Sequence, residues 1–577
     1  MGIVAAGAWI YSPAWRGDWV WDDHMLLADN TDLRSPGGLA NIWFSSPSTD
    51  YWPLTWTLLW IEWHLWGANP LGYHLTSLAL HISSGLLIWR LFHRLGLRWG
   101  WLGGFLFVVH PLAVESVAWI SEIKNTLSLP FFLLSLDAWL DAEEGKPSGY
   151  LRSVLFYLAA MLAKTSTVML PAVLLLYGWW KRGHVTRQEV VRTIPYALIA
   201  LVLGLLTIYF QNHGHARDNN PVELGGIVSR LIGAGTALCF YLGQFILPME
   251  VLPIYPRWSL EAPSLLHVLT LPVLVGLLVC LWAQRKGWGR HLILGFGFFM
   301  ITLLPVLGLV KMEYLNISWV ADHLVYLPMI GLIGLTVTGL DPLLQPSRFQ
   351  PWSLGIIVLV MGLFIWKSHV YAGQFSDEKT LWTYTLPRNP QAWLAHNNLG
   401  TLLLREGQVD AAIEQFEEAL KIAPHYAEAH YDLGNALKKS GRMSEAIEQY
   451  QRALAIDSAY AEAHNNLADT FLQTGDSSRA FDQFQQAIQS NPDYAEAHYN
   501  WGVALIQAGH LPEAIVHFRQ AIQIDPDYIE AHFNLGAALY QTGHTPESIQ
   551  QFQEVLRLKP DFTQAQNILA QLQAQPR

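Results

Sequence analysis

Residues 427–494 read AEAHYDLGNALKKSGRMSEAIEQYQRALAIDSAY and then AEAHNNLADTFLQTGDSSRAFDQFQQAIQSNPDY, two consecutive units of 34 residues. The register extends in both directions. His396, His430, His464, His498 and His532 recur at this period, each preceded by alanine. Gly400, Gly434, Ala468, Gly502 and Gly536 keep the same spacing, as do Gly407, Gly441, Gly475, Gly509 and Gly543. Ala412, Ala446, Ala480 and Ala514 follow, and Pro424, Pro492, Pro526 and Pro560 close most units.

A 34-residue period with small residues at helix crossings and a terminal proline is the tetratricopeptide (TPR) signature. Small residues let the two helices of a unit approach, and Phe416, Tyr450, Phe484, Phe518 and Phe552 fill the space between units. The pattern predicts an α-solenoid over residues 391–577, with five repeats and a cap near Ala565–Leu572. Two positions after each repeat histidine stand Asn398, Asp432, Asn466, Asn500 and Asn534. This row resembles the asparagine ladder in the TPR superhelix of O-GlcNAc transferase, which implies a groove for extended polypeptide. An amide suits that task because it offers a donor and an acceptor together. The plainer alternative is that asparagine is only a consensus choice there. The histidines read as packing positions, since their spacing puts successive ones on different repeats.

Upstream of the array the chain changes solvent. Of 577 residues, 52% are hydrophobic, 26 are Trp and only 14% are charged, against about 25% charged in soluble domains. The array carries 23 acidic and 11 basic residues of a chain whose net charge is −11, so the first 390 residues are close to neutral. A wholly soluble enzyme is excluded. The acidic balance argues against a nucleic-acid binder, and Cys239 and Cys280 alone do not make a disulfide scaffold.

A spanning helix needs about 20 apolar residues. Such runs lie near 72–92, 99–119, 125–140, 194–210, 228–248, 264–283, 291–310, 323–340 and 351–368. The stretch 150–180 is either one tilted helix broken near Lys164 and Pro171 or a short re-entrant pair. The opening MGIVAAGAWIYSP reads as a first helix shortened by the chosen start. The expectation is an all-α protein: a polytopic membrane bundle of about 11 spans over residues 1–370, a linker at 371–390 and then the solenoid. Arg90, Arg94 and Arg98, and likewise Arg285, Lys286 and Arg290, place their loops in the cytoplasm. The first outer loop (about 14–70) and the TPR array then fall on the far side. Lys181, Arg182, Arg187 and Arg192 disagree with that count. Compact loops and unpaired cysteines point to a bacterial inner membrane, with the loop and array periplasmic (luminal in a eukaryotic endoplasmic reticulum).

The first outer loop carries Trp21-Asp22-Asp23-His24, then Tyr51-Trp52-Pro53-Leu54-Thr55. Downstream come Gly72-Tyr73-His74, His81, His110-Pro111 with Glu115, Ser121-Glu122-Ile123-Lys124-Asn125, and Ala321-Asp322-His323 through Pro328. Ionisable residues at span edges are functional candidates, since burying them is costly. In this order the motifs resemble the transmembrane and TPR repeat-containing protein family, which is related to protein O-mannosyltransferases of the C-type (GT-C) glycosyltransferase superfamily.

The resemblance implies an inverting transferase that takes a sugar, mannose, from a polyprenyl-phosphate donor to Ser or Thr hydroxyls of polypeptides. It implies Asp22 as the general base, and Asp23 as the acid that orients the acceptor or raises its neighbour's pKa. The donor's lipid phosphate would be met by Lys124, Lys164, Lys311 and His323, with Glu122 and His110 beside them. The chain departs from the family pattern where Trp52 and His323 replace arginines and where Ile123 and Asn125 replace an arginine and an aspartate. No cofactor is required, and a divalent metal at the acid pair is allowed but not implied. The partners expected are the donor lipid, polypeptides and the bilayer. The alternative is a catalytically silent membrane scaffold whose repeats recruit other proteins. A transporter would want a repeated span pattern, which is not seen.

Overall fold

The computed structural model describes residues 1–44, 51–213, 225–260, 262–310, 312–346 and 350–574. Among them every regular element is helical. The chain divides into two compact units, the first reaching Ala395 and the second running from His396 to Arg577.

In the first unit the described residues contain five helices long and apolar enough to cross a membrane, or six if the bent pair Gly100–Val109 and Pro111–Ala118 is one span. Shorter apolar helices, Gly2–Tyr11, Gly149–Ala163 and Met329–Leu340, stand beside them. The apolar run 99–119 bends by 61° where His110 meets Pro111, as a proline after a helix end requires. The helix within 323–340 begins only at Met329, and the opening helix Gly2–Tyr11 has 10 residues. Close backbone contact ties the helices: a Cβ on Gly104 would lie 2.2 Å from the carbonyl oxygen of Gly85, the small-residue contact typical of membrane helices.

Ion pairs sort the loops by end. We label Pro70–Arg94 α1, Ile123–Glu143 α2, Gly149–Ala163 α3, Leu170–Arg182 α4 and Arg187–His213 α5. At the C-terminal ends of α1 and α2, Arg94 meets Asp137 at 2.8 Å and Glu144 at 2.6 Å. Arg152 at the start of α3 meets Asp141 at 2.7 Å. Arg182, ending α4, and Arg192, beginning α5, both lie 3.0 Å from Glu143. Each of these loops therefore belongs to one end of the unit. The 21 residues of α2 carry its other end about 30 Å away. Lys164, just after α3, meets Glu122 there. So α3 and α4 run out and back, and 150–180 is a pair of helices broken at Lys164, not one tilted helix. The basic cluster at 181–192 joins Arg90 and Arg94 on one side, which removes the disagreement in the positive-inside argument.

The stretch read as a linker, 371–390, is folded into the first unit. Its helix Glu378–Thr385 buries Leu381 and Trp382, Tyr384 donates to the carbonyl of Val251 at 2.9 Å and Asn389 to that of Ile254 at 3.0 Å.

The second unit is the repeat array, in helix pairs such as Ala427–Lys439 with Met443–Ile456 and Ala461–Gln473 with Ser477–Ser490, closed by Thr563–Ala574. A Cβ on Gly434 would meet the Tyr450 ring at 2.6 Å, which is why this crossing wants glycine. The repeat histidines link the two helices of each unit: His430 to Gln449, His464 to Gln483 and His532 to Gln551, all at 2.7 Å. Their other ring nitrogens reach the carbonyls of Pro424, Ser458 and Pro526.

Candidate functional site

The site grows from a strained residue. Trp21, at φ 58, is the one non-glycine residue with positive φ among those described. Such a conformation costs about 1–3 kcal/mol and needs surrounding structure to hold it. Trp119 stacks on its ring at 4.5 Å and Trp382 meets it edge-on at 5.2 Å. The two acids that follow have different surroundings. Asp23 is fully buried. Its Oδ2 accepts from the Val20 amide at 3.0 Å, and its Oδ1 from the Ser121 amide at 2.8 Å and hydroxyl at 2.5 Å. Asp22 is half-buried and accepts from the Trp119 indole at 3.1 Å.

Burial pushes the Asp22 carboxyl up to about 6, against the opposing charge of Lys124. Burial, and then the charge of Asp22, push Asp23 up to about 7. Asp23 pins the loop to Ser121, so it holds its neighbour rather than an acceptor. Nor does the pair suit a divalent ion, which wants several oxygen ligands. Asp23's oxygens are already engaged, and no group of three metal-ligating side chains forms among the described residues.

Beside the acids the structure brings together most of the expected cations. Glu122 is the hub: Lys124 lies 2.8 Å from Oε1 and Lys164 3.6 Å from Oε2. Asn125 donates to Glu122 at 2.5 Å and accepts from Lys164 at 2.7 Å. Burial would raise the Glu122 carboxyl, but the charges of His323, Lys124 and Lys164 outweigh it and hold it at about 2. The departures from the family pattern fall in this cluster. The Lys124 ammonium sits 5.1 Å over the Trp52 ring, a cation–π contact, and Ile123 is buried in the loop's apolar core with Trp19, Leu27 and Tyr73. His323 is held by Glu115, which the sequence showed only as an acid near a span edge.

Lys311 lies outside the described residues. His110 is placed apart from this cluster: its Nδ1 accepts from the Leu112 amide at 3.3 Å and its Nε2 faces the Phe245 carbonyl at 3.1 Å. With both nitrogens engaged by backbone at the bend, it offers a phosphate nothing. Trp21, Trp119 and Glu115 were missed as site residues. The motif of residues 110–120 contained the last two, but only the fold pairs them with Asp22 and His323.

In the array, the ladder amides bond to the preceding repeat. Asn466 donates to the Tyr431 hydroxyl at 3.1 Å and Asn435 at 2.8 Å, Asn500 to Asn465 at 3.1 Å and Asn534 to Tyr499 at 3.1 Å. Asp432 accepts from Asn397 at 3.2 Å and Thr401 at 3.1 Å. Asn398 lies in the first helix of the row, Trp393–Arg405. The ladder thus links neighbouring repeats.

Comparison with known proteins agrees with this architecture. Family models for the TPR repeat match residues 400–441, 434–475, 468–509 and 502–543, and a tetratricopeptide model matches 529–562. The human protein O-mannosyl-transferase TMTC4 is 23% identical over 480 residues, covering 70% of this chain and 64% of the relative. The Drosophila melanogaster protein O-mannosyl-transferase Tmtc3 is 24% identical, covering 70% and 53%. Among solved structures, that of MamA is 27% identical, covering 29% of this chain and 96% of MamA at a TM-score of 0.27. The chain carries TPR repeats over residues 400–562. It is also similar to the TMTC protein O-mannosyl-transferases over more of its length than the repeats could supply. It spans less than two thirds of these curated relatives' length.

Proposed function

We propose that the protein is an integral-membrane glycosyltransferase that moves mannose from a polyprenyl-phosphate donor to Ser or Thr hydroxyls of polypeptides, with inversion. Asp22 takes the proton from the acceptor hydroxyl as its oxygen forms a bond to C1 of the sugar. The C1–O bond to phosphate breaks, and polyprenyl phosphate leaves toward Lys124, Lys164 and His323. One observation carries the reading: Asp22 stands next to the cations gathered on Glu122, and burial raises its carboxyl toward about 6. A base must be ionised to act, and its best pKa lies near the working pH. Charge placed where the leaving group develops its own charge lowers the barrier.

The reading needs neither cofactor nor metal. Two other features support it. The site lies about 30 Å from the end bearing the basic loops, so the positive-inside rule puts Asp22 on the outer face, periplasmic in a bacterium. Residues 378–389 lie at the site end of the first unit, through Trp382 against Trp21, and the repeats that follow them in the chain would bind polypeptide acceptors.

The test is transfer of radiolabelled mannose from its polyprenyl phosphate in membranes holding wild type or Asp22→Asn. Label on protein is expected with wild type, rising with pH through about 6 as Asp22 ionises, and falling by about 100-fold or more with Asp22→Asn. Absence of transfer from mannose and from other lipid-linked sugars would leave the silent scaffold as the reading.

A further inference from the structure

Glu115 is a fully buried carboxylate to which the chemistry above gives no part. Both its oxygens go to one residue 208 positions away. Oε2 accepts the backbone N–H of His323 at 3.0 Å, and Oε1 meets the imidazole Nδ1 at 3.0 Å. Two bonds to one residue fix the ring's place and its tautomer, and leave Nε2 as the remaining ring nitrogen. Tyr314 meets the ring edge-on at 5.0 Å, as does Trp119 at 6.2 Å, and Trp119 in turn donates to Asp22.

The charged and titratable groups around His323 come from each neighbouring element. Glu115 lies on the helix after the bend, and Glu122, itself neutralised by Lys124 and Lys164, opens α2. Asp322 precedes it in the chain and accepts from the Tyr255 hydroxyl at 2.8 Å. Burial, and then the charge of Glu115, push the Asp322 carboxyl well above the usual range, so it does not compete for the imidazole. With Nδ1–H committed to Glu115, a neutral ring turns a bare lone pair outward at Nε2 and would repel a phosphate oxygen. The protonated ring turns an N–H. An arginine would carry its charge unaided, whereas a histidine needs a carboxylate to keep it near neutral pH.

We propose that Glu115 is a positioning residue for the leaving phosphate: it holds the His323 imidazolium with Nε2–H toward the cations on Glu122, making His323 the third fixed positive charge on the lipid phosphate. This rests on the transferase reading above.

The test is calorimetric titration of the purified full-length protein in detergent with farnesyl phosphate between pH 5.5 and 9. Wild type, Glu115→Gln, His323→Arg and the double variant are compared. Referring each affinity to that of His323→Arg removes the ligand's own titration. Wild type should match His323→Arg at low pH and weaken about 10-fold relative to it as the imidazole loses its proton, which forfeits one charge-assisted bond. Glu115→Gln should bring that fall to lower pH, and should produce no pH-dependent change in the His323→Arg background, which has no imidazole to titrate. Should Glu115→Gln not fold, wild type against His323→Arg decides alone: parallel curves to pH 9 overturn the proposal. With folded Glu115→Gln, an unshifted fall overturns it too. Failure of farnesyl phosphate to bind any of the four proteins at any pH sinks the transferase reading itself.

Discussion

The two units build their polar contacts over different distances along the chain. In the array the histidine links join residues 19 apart and the amide links residues 31 or 35 apart, and each recurs. In the first unit, Asp22 meets Trp119, Asp23 meets Ser121 and Glu115 meets His323, at separations of 97, 98 and 208 residues, each once. The array therefore has redundancy: nearest-neighbour terms add, and one defect stays local. The site has none, so a single lost contact there leaves a buried group without a partner.

The largest effect should come from breaking the array. Phe484 is fully buried between helices of the third repeat, and Phe484→Ala should cost about 3–5 kcal/mol. Hydrogen exchange on the full chain should show protection lost across the third repeat and its neighbours, while amides near Ser121 keep theirs. Loss spreading through the first unit would contradict a defect that stays local.

Asp23→Ala sharpens the other half of the comparison. It strips partners from the Val20 amide and from the Ser121 amide and hydroxyl, at a cost of about 2–3 kcal/mol. Sugar transfer should fall further than stability does, because the loop that carries Asp22 loses its anchor. Asp23→Asn keeps one acceptor oxygen and should recover part of the anchoring. Equal activity of Asp23→Ala and wild type at matched folded fractions would show that the anchor does not matter.

The same contrast explains what could be read from the sequence. Periodicity is written along the chain, so the repeat boundaries, the small residues at crossings and the packing role of the histidines were all legible. In the first unit residue types were legible but partners were not. Asp22, Lys124, Lys164 and His323 could be named as an acid and cations at span edges. Nothing local says that Asp23 serves Ser121, that His110 answers to backbone at the bend, or that Glu115 holds His323. Apolar runs do not show their breaks, so hydropathy could not place the bend at His110 or the start of a helix at Met329. The charged cluster at 181–192 looked misplaced until Glu143 appeared between Arg182 and Arg192. The strain at Trp21 leaves no mark in sequence at all, since tryptophan is not a residue that favours positive φ.

The smallest expected effect tests a place where the array breaks its own pattern. Where other repeats pair histidine with glutamine, the fourth pairs His498 with His517, Nδ1 to Nδ1 at 3.1 Å, and His517 stacks on Trp501 at 4.2 Å. His498 Nε2 faces the Pro492 carbonyl, so the bond between the rings needs a neutral acceptor nitrogen on His498. Burial, and then the charge of His498, bring His517 down to about 4, and burial lowers His498 as well, against the pull of Asp493. A histidine depressed in the folded state gives its full stability above the unfolded value of about 6.5. That stability is lost as pH falls from there toward 4. Solvent at the half-buried ring holds the loss to about 1 kcal/mol. Hydrogen exchange at pH 7.5 and 5 should show the fourth repeat loosening while the second and third, with their glutamines, do not. His517→Gln should remove the difference. If the variant loosens as wild type does, the pair is not the cause, and the break in the fourth repeat's sequence has no counterpart in its energy.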